Sequence, residues 1–458
     1  MRKLRLLFLL VVLTNFSWAQ MNIKLKDSFV DSASYVYFTK GKHIELISLT
    51  KNALSAGIDS YYLRVRIGVS YFKQNDFYLA SIHLQKALEY YPSDMYTKEF
   101  LFYSYLYIAK QEEAKLLIDK MPAVYQEAYR KLIKLQNSFV FESGYQTTSY
   151  TDKQDSALFL AKDPTVASIL PNAVYAESDR MKSIQYFQVG VGYPISKRIK
   201  GYSGVSLVRN NREEHIYSRK LLSIKDTEHN YTLSQYQAYT GLTVTLSNHF
   251  NLLVGGQYMY YMQNKLYANY NSSSQSYKYH DSITSRNNLV TNISITKSYG
   301  KITPMLSFGF NEIDAISIMQ YTAQASYFPI GNSNLTITGG FSTSTDDMDT
   351  RNVYFTKIGG EITRKLWYDA YLYTGNLKNF TEGNGYVVYN ISDKITVKTG
   401  VNLTYYLNQK WSVGCRYDML KRESTYNRYF ITSIGSKAKS YIDNYLNHSL
   451  ILNLLWKF

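Results

Sequence analysis

At Phe139 the hydrophobic period of this chain changes from 3.6 residues to 2, and it stays near 2 to Phe458. A period of 3.6 places apolar side chains on one stripe of a helix, and a period of 2 places them on one face of a strand. One layer cannot serve both patterns. The sequence therefore divides into a helical region, 20–137, and a strand region, 138–458.

The strand region alternates without a disulfide framework, because Cys415 is the only cysteine among 458 residues. In "DKITVKTGVNLTYYLN", Ile395, Val397, Thr399, Val401, Leu403 and Tyr405 share one face, and Thr396, Lys398, Gly400, Asn402, Thr404 and Tyr406 share the other. In "YQAYTGLTVTLS", Ala238, Thr240, Leu242, Val244 and Leu246 oppose Gln237, Tyr239, Gly241, Thr243 and Thr245. Short turns near 194, 247, 298, 329, 363 and 408 alternate with longer polar links at about 149–181, 210–232, 263–287, 345–350, 376–394 and 422–443. Such alternation puts all turns of one class at one end of an up-and-down antiparallel barrel. The spacing predicts about 14 strands, with 12 or 16 as alternatives.

Three features set the apolar face outward, toward lipid. One is the loop alternation. Another is the count of 47 Tyr, a residue enriched where a protein surface meets a membrane interface. The third is the N-terminus, where Arg2, Lys3 and Arg5 precede the apolar run Leu6–Leu13, and Ser17-Trp18-Ala19 offers a cleavage site. This is the pattern of a secretory signal over 1–19 with Gln20 as the new N-terminus, and the run is far short of the ~20 residues of a spanning helix. On this reading the last strand shows Leu450, Leu452, Leu454 and Trp456 to lipid and Ser449, Asn453 and Lys457 to the lumen. Cys415 falls on a lipid-facing set with Trp411, Val413 and Tyr417.

The helical region contains "YYLRVRIGVSYFKQNDFYLASIHLQKALEYYPSD", in which Gly68, Tyr71, Ala80, Leu84, Ala87 and Pro92 match a 34-residue tetratricopeptide repeat (TPR) over 61–94. Gly68 and Ala80 are small where paired helices cross, Tyr71 and Leu84 fill between them, and Pro92 ends the second helix. A weaker copy follows from Met95, with Leu101, Tyr105 and Ala114, and a degenerate one lies upstream at "HIELISLTKNALSAG". Stacks of this kind either dock a segment of a partner protein or act as a spacer. The overall expectation is an α + β multidomain chain: all-α TPR-like repeats followed by an antiparallel transmembrane β-barrel.

The terminal stripe Leu450, Leu452, Leu454, Trp456 and Phe458 resembles the C-terminal signal of Gram-negative outer-membrane barrels. The layout as a whole resembles the YaiO-like outer-membrane β-barrel proteins with an N-terminal TPR region. That resemblance implies an outer-membrane location with the TPR region in the periplasm. It implies as partners the outer-membrane lipid and lipopolysaccharide, the barrel-assembly machinery and an unidentified periplasmic protein. It also implies a part in envelope transport or export of polysaccharide or a small polar solute. The alternatives are a non-conducting anchor for a periplasmic complex and, more remotely, a loop-borne hydrolase like the omptin proteases.

Charged residues on lumen-facing positions mark the first place to seek function: Glu142, Lys357, Glu361, Asp369, Lys398, Arg416 and Asp418. Charges in a lumen must be paired or wet. They form either a charged eyelet or a salt-bridged filling. The link "ALFLAKDPTVASILP", 157–171, is too apolar for a free loop, and it either enters the barrel mouth or packs on neighbouring loops. "STDDMDT" sets Asp346, Asp347 and Asp349 at a loop tip, where the readings are a solvated acidic tip or weak Ca²⁺ ligands. "YHDS" places His280 beside Asp281. No zinc spacing, phosphate loop, GxSxG or HExxH occurs, so neither a cofactor nor an enzyme is expected. The net charge of +16 is scattered, with no recognition motif for nucleic acid.

Overall fold

The computed structural model describes residues 26–133, 136–150, 174–220, 223–246, 250–271, 276–390, 393–432 and 435–458. The signal-sequence reading at 1–19 and the apolar link 157–171 lie outside the described residues. The chain forms two compact units, Met1–Ser104 and Tyr105–Phe458.

In the first unit, helices α1 (Asp27–Thr39), α2 (His43–Ser55), α3 (Tyr61–Lys73) and α4 (Phe77–Tyr90) precede α5 (Met95–Tyr107), within which the units divide. Polar side chains start the later helices. Ser60 accepts from Leu63 N at 3.4 Å, Asp76 from Leu79 N at 3.2 Å and Asp94 from Thr97 N at 2.8 Å. The residues of the 61–94 spacing up to Ala87 fall on the α3–α4 pair. Tyr71, Ala80, Leu84 and Ala87 are buried, and a Cβ on Gly68 would lie 2.7 Å from Leu84 Cγ. Pro92 is exposed just beyond the end of α4.

The second unit holds α6 (Gln111–Ile118), α7 (Ala123–Leu132) and a closed antiparallel barrel of 14 strands. The barrel strands are β1 (Ser138–Tyr150), β2 (Val174–Pro194), β3 (Ile199–Lys220), β4 (Ser223–Thr245), β5 (Phe250–Asn271), β6 (Ser276–Lys297), β7 (Ile302–Ile313), β8 (Ile316–Tyr327), β9 (Leu335–Thr345), β10 (Thr350–Thr363), β11 (Leu366–Gly375), β14 (Lys394–Tyr406), β15 (Trp411–Thr432) and β16 (Gly435–Lys457). Between β11 and β14 lies a small separate hairpin, β12 (Thr381–Glu382) and β13 (Val387–Val388). β1 closes the barrel on β16, from Ser138 opposite Lys457 to Tyr150 opposite Tyr445.

The units divide at 104/105, whereas the sequence places the boundary between its helical and strand regions at 137/138. Ion pairs tie α6 and the turn after it to the barrel's β2–β3 turn. Lys197 Nζ is 2.7 Å from Asp119 and Lys200 Nζ is 3.4 Å from Glu112.

Side chains alternate as a membrane barrel requires. Leu450, Leu452, Trp456 and Phe458 are exposed on the outer surface, while Ser449 and Ile451 are buried within. Trp411 and Trp456 stack at 5.4 Å near the end of the barrel where β1 begins. Cys415 is exposed, on the same face of β15 as Val413 and Tyr417.

Two expectations are corrected. The polar stretches 210–232, 263–287 and 422–443 are mostly not loops. The β3–β4, β5–β6 and β15–β16 ladders continue through them in strands of 22 or 23 residues. About 9–11 residues suffice to cross the hydrocarbon, so these hairpins stand well beyond it, where neither face needs to be apolar. Further out, β15 also pairs with β2, Arg428 opposite Ala176 and Phe430 opposite Val174, bypassing β16 and β1. The second correction is Ile395, expected outside. A bulge between Ile395 and Val397 flips its parity, and Ile395 is buried inside with Val353, Phe355 and Tyr373.

Candidate functional site: a lumen crossed by a hairpin

The described part of the link 376–394, expected as an outer polar loop, turns back into the lumen over 376–390. The sequence favours a tight turn: Gly383, Asn384 and Gly385 all take positive φ between β12 and β13. The base of this hairpin is cemented by apolar contact, because Leu377 and Phe380 are buried with Val353, Phe355, Tyr373, Ile395 and Leu420, and Tyr389 packs on them. The rest reaches across to the opposite wall. Thr381 N and Oγ1 donate to Gln320 Oε1 at 2.9 and 3.0 Å, and Gln320 Nε2 returns a bond to Thr381 O at 2.9 Å. Ser294 Oγ donates to Asn384 Oδ1 at 2.6 Å, Asn390 Nδ2 to Gln235 Oε1 at 2.8 Å, and Gln188 Nε2 to the Tyr386 hydroxyl. Val388 rests on Met259, Val290, Ile313 and Ile318. On β5 a glycine makes the approach possible, since a Cβ at Gly255 would lie 2.4 Å from Asn384 O.

Glu382 is the electrostatic centre of the hairpin. It accepts from Tyr373 at 2.6 Å, Tyr389 at 2.8 Å and Lys398 Nζ at 2.9 Å, and Lys357 Nζ lies 3.6 Å away. Lys398 also donates to the Tyr389 hydroxyl at 2.6 Å and lies over the Tyr371, Tyr373 and Tyr389 rings at 4.9–5.3 Å. A half-buried carboxylate with two cations and two phenols has its lone pairs satisfied.

The expected lumen residues largely converge. Glu142, Lys357, Asp369, Lys398, Arg416 and Asp418 all line one cavity of ≈ 750 Å³ beside the hairpin. Tyr186 donates to Glu142 at 3.2 Å, Tyr371 donates to Asp418, and Arg416 Nε lies 3.3 Å from Asp418 Oδ2. Glu361 is not part of this lining: it keeps the parity of Lys357 but sits at the turn end of β10, opposite Trp367.

A second polar belt was not anticipated. Arg212 Nε donates to Asp179 Oδ1 at 2.7 Å, and its Nη2 lies 3.8 Å from Asp393 Oδ2. Tyr231 donates to Asp179 at 2.6 Å, and Asp393 accepts from Tyr445 at 2.5 Å and from Ser424 at 3.1 Å. These residues sit in stretches whose polarity resembles loops, so period alone did not place them in the lumen.

The loop candidates do not assemble. Asp346 Oδ1 accepts from Met348 N and Asp349 N at 2.9 Å each, and its Oδ2 accepts from Arg351 at 2.7 Å, so its oxygens serve the turn. Asp347 and Asp349 are exposed. Among the described residues no group of three or more His, Cys, Asp and Glu could hold a metal ion. His280 and Asp281 are neighbours on β6, so their side chains leave opposite faces of the strand.

No family model and no curated protein matches the sequence. Several solved structures resemble it at low levels. The toluene transporter TodX of P. putida covers 72% of this chain and 92% of its own, at 7% identity and a TM-score of 0.45. A Pseudomonas aeruginosa FadL homologue covers 70% and 90%, at 8% identity and a TM-score of 0.42. The first TPR of Spaghetti (RPAP3), bound to an HSP90 peptide, covers 23% of this chain and 92% of its own, at 19% identity and a TM-score of 0.21.

Proposed function

We propose that this chain is an outer-membrane conduit for small polar solutes, closed in the present conformation by the hairpin at 376–390, with its helical repeats serving as a periplasmic docking platform. The observation that carries the reading is the ≈ 750 Å³ cavity beside the hairpin, lined by both signs of charge. A barrel of about eight strands is filled by its own side chains, and one of 14 strands is wider. Here the obstruction is one segment, joined to the wall at both ends of its own connection and held across the lumen mainly by hydrogen bonds. Such bonds each contribute about 0.5–1.5 kcal/mol net and exchange readily with water. The mixed charge and the amides of Gln146, Gln235 and Gln237 in the lining suit hydroxylated solutes rather than hydrocarbons.

One observation favours a non-conducting anchor instead: the hairpin is bonded to both walls, through Gln320 on one side and Glu382 on the other. Liposome swelling separates the two readings. Asn384→Ala/Tyr386→Ala removes two of the cross-lumen contacts while sparing the apolar base. The conduit reading expects this variant to admit small sugars faster than wild type. Equal impermeability of both, with the barrel folded, favours the anchor.

A further inference from the structure

The cavity contains a buried cation that no described residue pairs. Arg422 is 2% exposed, lines the cavity, and its Nε and Nη1 have no hydrogen-bond partner among the described residues. Its register neighbours are Ile395 on β14 and Tyr445 on β16. Ile395 offers no side-chain acceptor, and neither Nε nor Nη1 is bonded to the Tyr445 hydroxyl, which itself donates to Asp393. The carboxylates of this belt have other partners: Asp393 accepts from Tyr445 and Ser424, and Asp179 from Arg212 and Tyr231. A guanidinium carries five donors, and leaving them buried and unmet is costly. An anionic oxygen is the strongest acceptor they can take.

An unmet acceptor accompanies it. Asn210 is buried, lines the same cavity, and its Oδ1 has no hydrogen-bond partner among the described residues. Tyr231 and Tyr389 add ring faces and edges to the lining. Unmet anion-seeking donors, an unmet amide acceptor and aromatic rings together fit a ring that bears both hydroxyls and a carboxylate. The volume lies in the range of about 300–1,000 Å³ typical of small-molecule sites.

We infer that this chamber binds a sugar acid, with Arg422 taking the carboxylate and Asn210 accepting from a ring hydroxyl. The inference rests on the conduit reading and supplies its solute class.

The test is calorimetric titration of the full-length protein in detergent, wild type and Asn384→Ala/Tyr386→Ala, with glucuronate, glucuronamide, glucose and inorganic phosphate as probes. The expected result is glucuronate binding at least about tenfold tighter than glucuronamide or glucose. Arg422→Gln removes that preference and leaves glucose unchanged. Arg422→Lys keeps part of it, because the charge remains without the guanidinium geometry, and this variant also guards against a folding defect in the first. Asn210→Leu weakens glucuronate and glucuronamide alike. Glucuronate binding no better than its amide, phosphate binding as well as glucuronate, or no glucuronate binding in either background overturns the inference. Swelling keeps the two proposals apart. If the hairpin variant passes sugars without preferring the acid, the conduit stands and this site falls. If it passes nothing yet still binds glucuronate through Arg422, the site stands and the conduit falls.

Discussion

Breaking the Glu382–Lys398 pair should loosen the hairpin at its base. In Glu382→Gln, Lys398 keeps its charge in a buried setting with its carboxylate gone, and Tyr373 and Tyr389 lose an anionic acceptor. Removing one partner of a buried pair costs about 3–5 kcal/mol. The amide oxygen can still accept one bond, which places Glu382→Gln near the lower end, roughly 3 kcal/mol. Lys398→Met is milder, because Glu382 keeps Lys357 at 3.6 Å and both tyrosines, and should cost roughly 2 kcal/mol. The double variant no longer buries a lone cation, so its loss should fall short of the sum by about 1–3 kcal/mol. Urea unfolding in lipid vesicles, followed by tryptophan fluorescence, gives all four corners of this cycle. Additivity within about 0.5 kcal/mol would refute the claim that these two side chains act as one joint.

Three further outcomes follow from other parts of the molecule. His83 is held neutral: burial and then the Arg64 cation lower its pKa from 6.5 to about 4, and Arg64 Nη1 donates to its Nδ1 at 2.9 Å. Its pKa is depressed in the fold, so stability is complete above the unfolded value and falls between pH 6.5 and about 4, with a ceiling on the order of 3 kcal/mol; His83→Gln should flatten that slope in urea titrations read by helical circular dichroism. Gly68→Leu, forced against buried Leu84, should destabilise the first unit by about 1–3 kcal/mol in the same assay. Cys415 should react in vesicles with a lipid-soluble maleimide and resist a charged, membrane-impermeant one, because its side chain faces outward from β15.

The wall of the barrel was legible in the sequence because lipid on one side and water on the other enforce a period of 2. The outward set of β16 and the inward set Glu142, Lys357, Asp369, Lys398, Arg416 and Asp418 follow from that constraint, and the strand number follows from the alternation of short turns and longer links. The constraint ends where the strands leave the hydrocarbon. Above it, β3–β4 and β15–β16 remain paired but polar on both faces, and they read as loops. The hairpin escaped for a different reason. Its partners Gln188, Gln235, Ser294 and Gln320 lie 61–198 residues away in sequence, and no local pattern announces a contact across a lumen. The only hint is "TEGNGYVV", whose Asn-Gly between short β-prone runs is a hairpin signal. Ile395 was misplaced because a bulge changes parity without changing composition.

On the conduit reading, residues 376–390 close the lumen. Single-channel recording in planar bilayers tests it most directly, comparing the wild type with a chain in which 377–392 is replaced by a short Gly-Ser turn between β11 and β14. The wild type should stay silent or open rarely, and the variant should show steady ohmic conductance. A folded variant as silent as the wild type, or a wild type that conducts as freely as the variant, would contradict it.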